Sequence, residues 1–236
     1  MSRRRLALLP ARGGSKRITD KNILPFHGKP MLAHPLAAAE ASSLFDLIHV
    51  STDSERIASV ARDLGADVSF MRPTTLADDV TGILPVAKWC VETFAERGEK
   101  FDDVCILFPA APMLEPEDLI GAFEVYAQHN ATRNLISVAE APVYLEWYYH
   151  RGSDGRLTPT HPGGAFMPSQ SLAPVYYETG TFTIFSAEYL TATESFDDDA
   201  NYVSYELDAW KAVDIDTPKD LAFASRLYET WKRETV

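Results

Sequence analysis

Short apolar runs alternate with amphipathic stretches along most of this chain, and that alternation restricts the fold more than any other feature. Strand-like runs span Arg5 to Leu9, Leu47 to Ser51, Asp67 to Met71, Val104 to Phe108, Leu135 to Ala139 and Thr181 to Phe185. Helical spacing falls between them. Met31 to Ser42 reads as a helix disturbed by Pro35. Ser54 to Leu64 places Ile57, Val60, Ala61 and Leu64 on one face and stops at Gly65. Ile83 to Phe94 is a third helix, and Glu115-Pro116 opens a fourth with proline in its first turn. Thr217-Pro218-Lys219-Asp220 starts a last helix running to about Trp231, with a hydroxyl cap and an acid three residues on. Strands alternating with helices predict an α/β fold with a mostly parallel, Rossmann-like sheet and helices on both faces.

The chain of 236 residues is expected to form a single domain, 1–236, interrupted at 142–175. There prolines, glycines and the aromatics Tyr144, Trp147, Tyr148, Tyr149 and Phe166 mix without a period. So long an irregular segment predicts a flap or dimer arm rather than an ordinary loop.

In a parallel sheet, ligands sit beyond the carboxyl ends of the strands. The first of those ends carries Ala11-Arg12-Gly13-Gly14-Ser15-Lys16-Arg17-Ile18-Thr19-Asp20-Lys21-Asn22. Adjacent glycines let backbone amides turn toward an anion, and the cations neutralise it. Seven of the 22 Lys and Arg lie within the first 21 residues, yet the net charge is −12. A cationic patch on an acidic body suits a small polyphosphate held in one cleft, and excludes nucleic acid, which needs a broad basic face. The loop has neither G-x-G-x-x-G nor G-x-x-x-x-G-K-[ST], which disfavours redox and P-loop ATPase roles. Ser51-Thr52-Asp53, Arg72-Pro73 and Pro109-Ala110-Ala111-Pro112 follow later strands at the same edge.

No apolar run is long enough to span a membrane, and the apolar residues after the Arg-rich start are too few for a signal-peptide core. Cys90 and Cys105 lie inside apolar patterns and read as reduced core residues, so a cytoplasmic protein is expected. The histidines show no metal-ligand spacing.

Late in the chain stands Val213-Asp214-Ile215-Asp216-Thr217-Pro218. In an extended segment, carboxylates two residues apart point to one side, which suits a hard divalent cation that keeps part of its water. The plainer reading is that Asp216 or Thr217 only caps the last helix.

Pro10-Ala11-Arg12-Gly13-Gly14-Ser15-Lys16 with Lys21-Asn22 resembles the signature of the acylneuraminate cytidylyltransferases, which include CMP-sialic acid synthetase. The resemblance continues through Val50-Ser51-Thr52-Asp53, Arg72-Pro73 and Asp214-Ile215-Asp216-Thr217-Pro218, nearly the whole chain. Leu76-Ala77-Asp78-Asp79-Val80-Thr81-Gly82-Ile83 looks most like the pseudaminic acid cytidylyltransferase branch. It implies that CTP and a nine-carbon α-keto sugar acid give a CMP-sugar and pyrophosphate, with Mg²⁺ as cofactor and a homodimer as the assembly. On the same ground Arg12, Lys16, Lys21 and Asp216 are the expected catalytic residues. Ala11, Arg12, Gly13, Gly14, Ser15, Lys21, Asn22, Arg72 and Asp79 are expected to bind the nucleotide, with Arg72 near the cytosine. Asp214 and Asp216 would hold the metal, and Asp216 or a metal-bound hydroxide would take the proton. Gln170, Tyr177 and Glu178 would contact the sugar.

The sugar half departs from the family pattern. Pro168-Ser169-Gln170-Ser171-Leu172 lacks the usual arginine and acid, Ala110 replaces a threonine, and Thr181 stands where glutamine is common. Arg133, His150, Arg151, Arg156 and His161 are candidates for the sugar carboxylate. Other readings are a cytidylyltransferase for sialic, legionaminic or octulosonic acid, a nucleotidyltransferase for another nucleotide, or a non-catalytic nucleotide-binding relative. A metal-dependent D-x-D glycosyltransferase also fits the carboxylate pair, but it has little need of a triphosphate loop.

Overall fold

The computed structural model describes residues 3–193 and 201–234. Its elements are β1 (Arg5–Pro10), β2 (Pro25–Phe26), β3 (Lys29–Pro30), α1 (Ala33–Ser42), β4 (Leu47–Ser51), α2 (Glu55–Asp63), α3 (Ile83–Glu96), β5 (Asp103–Leu107), α4 (Pro116–Gln128), β6 (Asn134–Glu140), β7 (Tyr149–Arg151), β8 (Leu157–Pro159), β9 (Tyr176–Ser186), α5 (Ala187–Ala192), β10 (Tyr202–Glu206) and α6 (Pro218–Glu234). Six strands form the central sheet in the order β10-β6-β9-β5-β1-β4. All are parallel except β9, which runs antiparallel between β5 and β6.

Alternation along β1 builds both cores. Ala7 and Leu9 pack with α1, α2 and α4 on one face. Leu6 and Leu8 pack with α3 and α5 on the other. Each of the three fully buried leucines contributes about 1.5–3 kcal/mol. Cys90 and Cys105 are buried and free.

The helix starts and stops follow their caps. Ser54 Oγ accepts from the Ile57 amide at the head of α2. At its tail Gly65 has φ +86°, and the amides of Gly65 and Ala66 close onto Arg62 and Ala61. Pro35 does not disturb α1. The helix begins at Ala33, so the proline lies in the first turn, where an amide has no intrahelical acceptor to lose.

One expected strand is missing. Asp67 to Met71 makes only a single bridge, Asp67 to His49. The Asp67 carboxylate accepts from His49 Nδ1 at 2.6 Å and from the Ser69 amide and hydroxyl. Local side-chain bonds of this kind divert the backbone from a ladder. Those partners also hold the Asp67 carboxyl below its ordinary value, against the opposite push of burial. Conversely, β10, the β2–β3 hairpin and α5 carry no pattern that the sequence reading used. Residues 142–175 hold short 3-10 turns and the exposed β7–β8 hairpin. No described helix is long and apolar enough to cross a membrane.

Candidate active site

The carboxyl ends of β1, β4, β5 and β10 lie at one sheet edge, and a cavity of about 340 Å³ opens there. Arg12, Ser15, Lys16, Arg17, Lys21 and Asn22 line it from the glycine loop, and Asp214 and Asp216 from the late aspartate segment. The two motifs meet because they share a small core. Ile18 of the loop and Ile215 of the aspartate segment, the latter fully buried, pack together with Phe26, Met31 and Ala224. With Ile215 turned inward, an extended backbone turns Asp214 and Asp216 outward.

Asp216 is not the helix cap. Asp220 Oδ2 accepts from the Thr217 amide at 2.7 Å and from the Asp216 amide at 3.2 Å, while Thr217 Oγ1 accepts from the Asp220 amide at 3.3 Å. This reciprocal cap holds the Asp216 backbone and frees its side chain. Asp216 Oδ1 pairs with Lys21 Nζ at 3.0 Å and Oδ2 with Arg17 at 2.7 Å. Lys21 also donates to the Ile215 carbonyl at 2.8 Å.

Asp214 stands differently. Burial first, and the neighbouring Asp216 second, push its carboxyl above the ordinary range. The cations bond to Asp216 rather than to Asp214. No three His, Cys, Asp or Glu side chains among the described residues could together hold a metal. Two carboxylates fit Mg²⁺, which takes one or two of them and completes its shell with phosphate oxygens and water.

Gly13 and Gly14 are present for different reasons. A Cβ on Gly13 would lie 3.0 Å from Ser54 Cβ, whereas one on Gly14 would meet nothing within 4 Å. The Gly13 amide already donates to Asp53 Oδ1 at 2.8 Å, and the Ser15 amide to the Gly13 carbonyl at 3.1 Å. Those amides are committed, contrary to the expectation of an open nest. Ala11 is fully buried beneath the loop. Asn22 is buried and donates to the Arg12 carbonyl at 3.0 Å, so it shapes the loop as well as lining the cavity.

Asp79 lies on the loop's cations. Its carboxylate pairs with Arg12 at 3.0 Å and with Lys16, a place where a phosphate would serve equally well. Arg72 is buried, with Nε on Ser51 Oγ at 3.1 Å and a terminal nitrogen on the Ser51 carbonyl. Burial lowers its pKa. It supports the end of β4 and does not line the cavity.

The expected sugar contacts scatter. Gln170 is exposed in the 3-10 turn Ser169–Ser171. Tyr177 and Glu178 are exposed at the start of β9, where Glu178 lines a separate cavity. His150 and Arg151 are exposed on β7, and Arg133, Arg156 and His161 are exposed elsewhere. None of these lines the cavity at the aspartate pair. Three contributors escaped the sequence reading: Arg17 as a partner of Asp216, Phe108 at the end of β5, and Gly180. Arg17 had a signal in the cation cluster, whereas Gly180 had none, because an antiparallel β9 was not legible.

Comparison with known proteins gives the family of the chain. The family profile described as Cytidylyltransferase matches residues 6–231. A pseudaminic acid cytidylyltransferase of Campylobacter jejuni is 31% identical over 224 residues, 95% of this chain and 96% of that protein. A CMP-N,N'-diacetyllegionaminic acid synthase of Legionella pneumophila is 32% identical over 225 residues, 95% and 96% of the two chains. Among solved structures, a CMP:2-keto-3-deoxy-manno-octonic acid synthetase complexed with CTP superposes with TM-score 0.71 at 17% identity, over 97% of this chain and 99% of the other.

Proposed function

This chain belongs to the cytidylyltransferase family, and from that premise we propose that it activates a nine-carbon α-keto sugar acid, pseudaminic acid or a related nonulosonate, with CTP. The products are the CMP-sugar and pyrophosphate. One observation carries the reading: the cationic glycine loop and the Asp214–Asp216 pair face a single cavity. That is the arrangement a bound triphosphate with its metal needs, and one that a metal-dependent glycosyltransferase does not.

Nucleotidyl transfer depends on positioning and on neutralising phosphate charge. Arg12 and Lys16 would hold the triphosphate once Asp79 leaves them. Lys21, fixed by Ile215 and Asp216, would place a charge on the cavity wall. Asp214 and Asp216 are the residues that would hold Mg²⁺, which when bound offsets phosphate charge and polarises the α-phosphate. The anomeric hydroxyl attacks the α-phosphorus, the bond to the pyrophosphate oxygen breaks, and the hydroxyl proton leaves to solvent or a nearby base.

The homodimer belongs to the same proposal. Its support is the apolar surface of the arm: Phe166 is 91% exposed and Leu157 59%, with Leu145, Met167, Tyr148 and Tyr149 also exposed. Such a surface marks an interaction site. A cytoplasmic setting fits the two free, buried cysteines.

The test is a coupled pyrophosphate assay with CTP, Mg²⁺ and a panel of pseudaminic, legionaminic, N-acylneuraminic and octulosonic acids. The relatives at 31% and 32% identity act on different acceptors by name, so both acceptors enter the panel. Magnesium-dependent release is expected only with a nonulosonic acid. Release with a sugar 1-phosphate and no sugar acid would sink the reading.

A further inference from the structure

A cavity of about 240 Å³ is closed by α1, α6 and the segment between β5 and α4. His34 lines it from α1, Pro112 and Leu114 from the β5–α4 segment, and Tyr228 and Trp231 from α6. Its rings form one cluster, with Tyr228 5.3 Å from His34 and 5.4 Å from Trp231, both edge-on. Lys29 and Lys232, both exposed, complete the lining. Lys232 Nζ lies 3.8 Å from the centre of the Trp231 ring. On a chain of net charge −12, neither lysine has a carboxylate partner among the described residues. Glu115, the acid on this wall, is held by Lys211 at 2.6 Å. The excess of positive charge reaches His34. Burial pushes its pKa down, the Phe26 carbonyl opposes this, and Lys29, His27 and Lys232 push it down further. Cations gathered around rings in an acidic protein attract an anion that has a flat face.

The walls of this cavity are also tied to the active one. The β5–α4 segment puts Pro109 and Ala110 on the active cavity and Pro112 and Leu114 on this one. α6 begins just past the aspartate pair. The β2–β3 hairpin follows Lys21 and Asn22 and is clasped to α6: His27 stacks on Tyr228 at 4.6 Å and bonds Ser225 Oγ at 2.9 Å. Tyr228 and Ala110 both pack on the small core in which Ile18 meets Ile215. A group pressed against Tyr228 therefore bears on the contact that sets the glycine loop against the aspartates. Packed cores pass such displacements on as shifts of whole elements.

We propose that this cavity is an effector site for a nucleoside monophosphate: the base packs against Tyr228 and Trp231, the phosphate meets Lys29 and Lys232, and occupancy shifts α6, with the aspartate pair, relative to the glycine loop. The volume lies below the roughly 300–1,000 Å³ of sites for drug-sized ligands, so one ring system enters and the rest of the ligand stays at the mouth. Free phosphate would leave the rings uncovered, and a sugar phosphate offers them no planar face. A monophosphate carries about −1.5 to −2 at neutral pH, which two lysines match, and a triphosphate exceeds them. CMP is the nucleotide to test, because any reaction that takes the sugar from a CMP-sugar must end by releasing it. That choice alone rests on the proposed function.

The test is isothermal titration of CMP into the full chain already saturated with CTP and Mg²⁺. Binding is expected, because CTP fills the active cavity and leaves this one open. Lys29→Glu combined with Lys232→Glu should weaken CMP about 10- to 100-fold and leave CTP affinity unchanged. Trp231→Leu should weaken CMP about tenfold. Cytidine, ribose 5-phosphate and inorganic phosphate should each bind at least about tenfold more weakly than CMP. At saturating CTP and sugar acid, CMP should lower kcat of the wild type, and the double lysine variant should lose that effect. A CTP-induced rise in Tm checks folding, and if Trp231→Leu lacks it, the lysine variant, altered only at exposed residues, decides. No CMP bound by the CTP-saturated wild type overturns the site, and binding that the folded variants leave unchanged overturns its location. Phosphate that binds as tightly as CMP overturns the nucleotide, and bound CMP with unchanged kcat overturns the effector role. If no sugar acid is turned over, the proposed function falls, while the binding results still decide the site.

Discussion

A carboxylate resting on two cations competes with any phosphate that needs them. Asp79 holds that place on Arg12 and Lys16. Asp79→Asn should therefore tighten CTP binding, by about two- to tenfold given the small worth of exposed pairs. Isothermal titration decides it, since weaker binding would mean that Asp79 contacts the nucleotide itself. The two glycines separate in the same way. Gly13→Ala forces a Cβ against Ser54 and should cost about 1–3 kcal/mol, with weaker CTP binding. Gly14→Ala meets open space and should leave Tm within a degree or two of the wild type. Asp216→Asn should keep the fold and cut kcat by about 10²- to 10³-fold if the carboxylate serves the transfer step. An active mutant would remove it from the mechanism.

At the scale of elements, two caps aim the aspartate segment. The Thr217–Asp220 cap starts α6 immediately after Asp216. Thr217→Ala should cost about 1 kcal/mol in denaturant unfolding. The hydroxyl and amide of Thr217 hold the Asp220 carboxyl below its ordinary value. A group lowered in the folded state stabilises at pH above its unfolded pKa, and that stability fades as pH falls through the folded one. Asp220→Asn should accordingly flatten the acid side of the stability–pH curve, and an unchanged curve would exclude this linkage. The second cap is α4's. Glu115 and Asp118 cap it reciprocally, and Lys211, from the turn after β10, pairs with both at 2.6 and 2.8 Å. This ties the approach to Asp214 onto α4. Burial dominates at Asp118, raising its pKa despite Lys211. Lys211→Met strands two partly buried acids and should cost about 3–5 kcal/mol, measured by urea unfolding.

For the whole molecule, the exposed aromatic and aliphatic side chains of 142–175 predict self-association. Phe166→Glu should shift the protein from dimer to monomer in light scattering at micromolar concentration, and a wild type that is already monomeric would end that proposal. Much of the architecture was legible in the chain. Alternating strands and helices, the stop at Gly65, the proline start of α4 and the cap of α6 are local matters of periodicity and hydrogen bonding, and local sequence determines them. So is the content of the site: a run of cations with paired glycines, and two carboxylates two residues apart. What stood beyond local pattern depended on partners distant along the chain. The run 67–71 could have been a strand, but bonds to His49 and Ser69 stopped its ladder. The antiparallel direction of β9 and its bulge arise from pairing with β5 and β6, and they bring Gly180 to the cavity at the aspartate pair. Sequence thus named the charged groups, because charge and spacing are properties of a segment. Their convergence was decided by Ile18 meeting Ile215 in one small core, a contact between residues nearly two hundred positions apart that only packing can make.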